Sequence, residues 1–144
     1  MSTLERAIQI AASAHAGQTD KAGKPYILHP LRVMLSVSSD EERMAAVLHD
    51  VLEDTHWTPD ALRQEGFSEI VVEAVVTLTK TDGESRIDAA QRAARNPVAR
   101  RVKLADVTDN MDLSRIANPQ ASDYARLEEY EAVRRLLLEA GGLE

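Results

Sequence analysis

Apolar residues along this chain return at helical rather than strand spacing. Period-two alternation is scarce, and alanine, leucine and charged residues dominate. The pattern predicts an all-α fold, a compact bundle of about seven to eight helices. A first helix is expected from about Thr3 to Ala16, opened by a capping box in which Ser2 and Glu5 each satisfy a free amide of the first turn. Gly17, Gly23 and Pro25 interrupt the pattern and predict a loop over 17–28 carrying Lys21 and Lys24. His29-Pro30 reads as an N-cap followed by proline, opening a second helix to about Val37. Ser39 with Glu42 opens a third, to about Asp54. Thr58-Pro59 starts a short fourth, Ser68 a fifth rich in β-branched residues, Ser85 with Asp88 a sixth, and Asn96-Pro97 a seventh to about Leu113. The last is expected from about Ser122 to Ala140, stopped by Gly141-Gly142. Its apolar stripe of Leu127, Tyr130, Val133 and Leu137 suits internal packing, or a second subunit. Oligomeric state is not readable from it.

The third helix carries the densest chemistry. Met44, Val47, Leu48, Val51 and Leu52 share one face, while His49, Asp50, Glu53 and Asp54 share the other. A solvated face is the plain reading. However, no Lys or Arg accompanies these acids, and Asp50 and Asp54 stand at i,i+4, where like charges destabilise a helix. A divalent cation would offset them.

The seventh helix is apolar nearly all round, through Val102, Leu104, Ala105, Val107, Met111 and Leu113, which predicts burial. Lys103, Asp106 and Asn110 nevertheless form one stripe on it. A buried Asp needs a partner. Lys103 is one candidate, and a metal shared with the third helix is the other. Of the four histidines, His15 and His56 read as a cap or a satisfied surface group. His29 differs, because the proline after it is expected to hold it extended and fix its direction.

Composition narrows the classes. Cysteine is absent, which excludes disulfides, iron–sulfur clusters and thiolate chemistry. Net charge is −7. An acidic surface argues against nucleic acid or a membrane surface as partner. One Trp, three Tyr and one Phe are too few for base-stacking platforms. No run of about 18 apolar residues offers a membrane span. Glu5 and Arg6 interrupt the apolar stretch that a signal peptide would need, so a cytoplasmic location is expected. At 144 residues, the expectation is one domain over 1–144.

Three segments carry a resemblance: HAGQTDKAGKPYILHP (15–30), AAVLHDVLEDT (45–55) and VKLADVTDNM (102–111). Together and in this order they resemble the HD-domain phosphohydrolases, and more closely the hydrolase domain of RelA/SpoT alarmone enzymes and their single-domain relatives. The resemblance implies an HD-domain architecture around a divalent metal, usually Mn²⁺. By match it implies His29, His49, Asp50 and Asp106 as metal ligands. Glu53 and Asp54 would handle the attacking water, and Lys21 and Asn110 would hold the nucleotide. Such a ligand set also accepts Fe²⁺, Zn²⁺ or Mg²⁺. The implied activity is hydrolysis of the 3′-pyrophosphate of guanosine 3′,5′-bis(diphosphate), without a synthetase domain. Four positions depart from the family pattern where base or phosphates are contacted: Asp20, Ala22, Asp112 and Leu113. Arg100 and Arg101 could supply phosphate contacts instead, although surface solvation is the simpler expectation. The departures keep two alternatives open: another phosphorylated nucleotide, such as an adenosine analogue, or a helical module that binds metal or nucleotide without chemistry.

Overall fold

A computed structural model describes residues 1–141. The described residues form nine α-helices and one 3₁₀ turn, with no strand beyond an isolated bridge between Thr19 and Pro25. The helices are α1 (Leu4–Ala14), α2 (Leu28–Leu35), α3 (Asp40–Leu48), α4 (Val51–Asp54), α5 (Pro59–Gln64), α6 (Glu69–Leu78), α7 (Arg86–Ala94), α8 (Pro97–Asn110) and α9 (Ala121–Gly141). The 3₁₀ turn spans Leu113–Arg115. All-α architecture is therefore as expected.

The caps explain most helix starts. Ser39, Thr58, Ser68, Ser85 and Asn96 each accept an N–H from three residues on, filling one of the amides a helix start leaves unpaired. Proline follows directly in α5 and α8, where its missing N–H costs nothing. At α1 the cap is Thr3, which accepts from Arg6 N–H, and not Ser2. The last helix runs through Gly141, so the expected stop at Ala140 is too early, and Gly142 lies outside the described residues.

The third predicted helix is broken in two. Its regular turns end at Leu48 and resume at Val51. His49 Nδ1 lies 2.5 Å from Ala46 O, the carbonyl that Asp50 N–H would take in an unbroken α-helix. A side chain inserted in the ladder is a recognised cause of a break. The continuous amphipathic wheel hid this, because His49 and Asp50 keep the right spacing while losing the backbone geometry.

The main core gathers Ile10, Val33, Val47, Leu48, Leu62, Val72 and Val102, with α3 packed against α1, α2, α6 and α8. A smaller core of Ala90, Val107, Val133 and Leu137 joins α7, α8 and α9. The α9 stripe thus packs internally through Val133 and Leu137, with Tyr130 partly buried beside them. Asp106 and Val107 are adjacent on α8 and face different partners, so α8 is shared by the core and by the cleft between the two clusters. None of the described helices is long and apolar enough to cross a membrane.

Candidate metal centre and substrate cleft

A cleft of about 550 Å³ opens between the 19–26 loop, α2, the α3–α4 break, α8, the 3₁₀ turn and α9. Lys21, His29, Asp50, Glu53, Asp54, Asp106 and Asn110 all line it, and His49 lies buried behind them. Four separate stretches of chain therefore bring the predicted site residues to one place.

His29 belongs to the first turn of α2 and is not its cap. Ile27 holds that position, with no side-chain cap bond. Pro30 falls in the first turn, where a missing N–H is tolerated, so His29 is helical rather than extended. Its direction is fixed instead by partners on α8. His29 Nδ1 lies 2.7 Å from Asp109 Oδ2 and Nε2 lies 2.8 Å from Asp106 Oδ1. Asp109 in turn receives Arg32 through Nε at 2.8 Å and Nη2 at 3.1 Å. Burial alone would lower His29, but the hydrogen bonds to Asp106 and Asp109 outweigh it and raise its pKa. Burial pushes Asp109 up, and the bonds from His29 and Arg32 overcome it, holding the carboxyl down at about 2.

His49 stands edge-on to His29, with ring centroids 5.4 Å apart. The Nδ1 contact to Ala46 O makes Nδ1 a donor, so Nε2 is the nitrogen that offers a lone pair once the ring is neutral. Nε2 lies 3.0 Å from Asp50 Oδ2 and 3.4 Å from Asp106 Oδ1, yet makes no aligned hydrogen bond. A buried nitrogen left without such a bond calls for an explanation. A cation supplies one: His29, His49 and Asp50 each offer a ligand atom, all within 4.8 Å of one another. Two imidazoles and carboxylate oxygens form a donor set that suits a first-row divalent metal. Burial works against His49 carrying a proton, but Asp50 and Asp106 reverse that and raise its pKa well above the usual value. Despite burial, His49 holds Asp50 below the ordinary carboxylate range, and Lys103 first, then His49, does the same for Asp106.

Asp106 has Lys103 as its partner, the first of the two expected. Lys103 Nζ donates to Oδ2 at 3.0 Å, while Oδ1 faces His29 and His49. Asn110 Nδ2 also donates to Oδ1, at 3.3 Å, so the residue expected to hold substrate contacts the α8 carboxylate in this structure. Glu53 and Asp54 are exposed side chains of α4 that line the cleft. Partial desolvation there, then the Asp50 charge, raises both from their ordinary values, which makes them better proton acceptors. Lys21 is half-exposed and lies 3.8 Å from Asp123 Oδ1.

Residues 7–140 match the family described as HD domain. The chain belongs to the HD-domain family. Among curated relatives, a probable GTP pyrophosphokinase of Mycobacterium leprae is 32% identical over 94% of this chain and 19% of its own length. A guanosine-3′,5′-bis(diphosphate) 3′-pyrophosphohydrolase of Aquifex aeolicus is 35% identical over 75% of this chain and 17% of its own. This HD domain thus spans less than a fifth of the curated relatives it matches. A solved structure, reported as a metazoan ortholog of SpoT that hydrolyses ppGpp, superposes with a TM-score of 0.76. It is 23% identical, over 97% of this chain and 85% of that one, and shows a shared fold.

Several residues of this HD domain were not visible from its sequence. Asp109 holds His29 from a position 80 residues away, and Tyr26 hydrogen-bonds Asp50 from the loop. Burial, then Asp50, pushes the Tyr26 phenol far up, so it stays a donor. His15 is the C-cap of α1, as one expectation had it, but it is not on the surface. It is 2% exposed, with Nδ1 2.9 Å from Gln18 Oε1. Arg32, Arg86, Arg115 and Arg126 add cations to the cleft from four elements. Arg32 carried a local signal, one turn past His29; the others carried none. Arg100 is buried and donates to Ala94 O at 3.3 Å, so it is not a solvated surface residue, and it does not line the cleft. Arg101 lines a different groove.

The four departures all border the cleft. Asp20 is spent on its own loop, where Oδ1 accepts the N–H of Ala22 and of Lys24, each at 2.9 Å. Gly23 completes that turn at φ +77°, a region that favours glycine. Asp112 caps the 3₁₀ turn through Ser114 N–H and pairs with Arg115.

Proposed function

We propose that this HD domain is a Mn²⁺-dependent nucleotide pyrophosphohydrolase that removes the 3′-pyrophosphate of guanosine 3′,5′-bis(diphosphate). The observation that carries the reading is the convergence of His29, His49, Asp50 and Asp106 at a cleft that Glu53 and Asp54 also line, with Lys21, Arg32, Arg86, Arg115 and Arg126 among its other side chains. The names of the relatives point to the same substrate. His29, His49, Asp50 and Asp106 would hold the cation. A divalent cation there lowers the pKa of a water and polarises a phosphoryl oxygen. Glu53 or Asp54 takes one proton from the attacking water as its oxygen bonds to phosphorus. The bond from phosphorus to the ribose 3′ oxygen breaks, that oxygen is protonated, and pyrophosphate leaves. Lys21, from the 19–26 loop, and Asn110, from α8, would hold the substrate. We assign the reaction to the cytoplasm.

A second reading rests on Asp20, Ala22, Asp112 and Leu113. The same machinery would act on another phosphorylated nucleotide, because these side chains border the cleft and two of them are committed to local caps. The test is pyrophosphate and phosphate release with Mn²⁺ from guanosine and adenosine 3′,5′-bis(diphosphates) and ordinary triphosphates. Fast, chelator-sensitive pyrophosphate release from the guanosine compound is expected. Release only from other members moves the substrate and keeps the mechanism. Metal binding without turnover of any member makes this a binding module.

A further inference from the structure

The loop before α2 delivers a phenol to the α3–α4 break. Tyr26 N–H donates to Gln18 O at 2.9 Å, and the Gln18 side chain meets His15 Nδ1. The buried His15 ring packs against Tyr26 with centroids 5.0 Å apart, and Tyr26 packs against His29 at 5.8 Å. Together with His49, four rings run from the end of α1 to the candidate cation cage. The Tyr26 hydroxyl then donates to Asp50 Oδ2, the oxygen that also faces His49 Nε2.

Asp50 needs such a partner. It stands outside both flanking helices, at φ −102° and ψ −1°, and makes no cap bond of its own. Nothing in a regular helix therefore sets its side-chain torsions. We propose that Tyr26 is a positioning residue for the cation cage: with its ring packed against those of His15 and His29, its hydroxyl fixes the rotamer of Asp50 and so sets the affinity for a divalent cation. This rests on the cation cage advanced under Proposed function. Partners that orient a metal ligand typically contribute about 10- to 100-fold to metal affinity. Packing alone would leave that affinity unmoved, because phenylalanine keeps the ring and its stacking.

The experiment is calorimetric titration of the metal-stripped chain with Mn²⁺ for the wild type, Tyr26→Phe and Tyr124→Phe, with circular dichroism of each before titration. Tyr124 is exposed and serves as the control. We expect all three to be folded, Tyr124→Phe to bind as the wild type does, and Tyr26→Phe to bind about 10- to 100-fold more weakly. Equal affinity of Tyr26→Phe and wild type overturns the proposal and leaves Tyr26 a packing residue. Loss of helical signal in Tyr26→Phe overturns it too, in favour of a structural role. A wild type that binds no divalent cation removes the cage itself, and both readings fall together.

Discussion

The acidic pair on α4 is where residue chemistry bears most directly on turnover. Glu53 and Asp54 stand exposed in the cleft near Asp50, and both are shifted toward holding a proton. Replacing them with Gln and Asn removes the acceptor while leaving the four candidate ligands in place. Turnover is expected to fall by about 10²- to 10⁴-fold, with Mn²⁺ still bound in an equilibrium titration. Undiminished turnover would assign the proton to another group. Asp109 makes a second prediction. By accepting from His29 Nδ1, it fixes Nε2 as the nitrogen turned to Asp106 and the candidate cage. An amide can donate to Nδ1 instead and turn the tautomer round. Asp109→Asn is therefore expected to weaken Mn²⁺ binding by about 10- to 100-fold; an unchanged dissociation constant would show that the tautomer is not set there. His29, His49, Asp50 and Asp106 were legible because motif spacing marked them. Asp109 and Tyr26 were not, because their partners are brought by the fold and no local pattern connects them.

Helices were legible through their caps, and the joints between helices were not. Ser39, Thr58, Ser68, Ser85 and Asn96 announce five starts by side-chain chemistry that acts within one turn. The break at His49 depends on a side chain competing for Ala46 O, which a hydrophobic wheel does not register. The α6–α7 joint is of the same kind. The Arg92 guanidinium donates to Thr77 O at 3.1 Å and Thr79 O at 2.8 Å, closing the C-terminal end of α6 from α7. Glu84 pairs with that guanidinium. Arg92→Ala leaves the carbonyls without this donor and is expected to cost about 2 kcal/mol of stability in denaturant unfolding. Arg92→Lys should recover only part of it, since one ammonium does not reproduce the fork. The Glu84 carboxyl is held below its ordinary pKa, first by the Thr81 N–H and then by Arg92. A carboxylate depressed in the folded state adds stability that is complete above its unfolded pKa, near ~4.3. That stability is lost as pH falls through the lowered folded value. Glu84→Gln should therefore show a shallower fall in melting temperature than the wild type on going from neutral pH into the acid range. Parallel curves would mean that Glu84 is not linked to folding.

At the scale of the molecule, the all-α class followed from periodicity, the internal docking of α9 was one of two outcomes its apolar stripe allowed, and the cleft followed from neither core alone. It exists because α8 serves both clusters, turning Val107 into the smaller core and Asp106 toward the candidate cage. The cage therefore joins α2, the α3–α4 break and α8, three pieces of chain whose relative placement is tertiary. A ligand that bridges them binds the folded chain and has no comparable site on the unfolded one. Binding to the native state alone stabilises it by mass action, about 2.7 kcal/mol at a free concentration near 100 times the dissociation constant. For a domain of this size that is a rise in melting temperature on the order of 10 °C. Mn²⁺ is expected to produce such a rise in thermal unfolding, and excess chelator to reverse it. In His49→Gln the rise should shrink or vanish, since the amide offers no imidazole lone pair where Nε2 stands. A full rise in that variant would mean that the cation binds elsewhere, on the acidic surface that the net charge of −7 already provides. The variant thus separates a built cage from general attraction, because surface attraction fades with added salt and is indifferent to one buried ring.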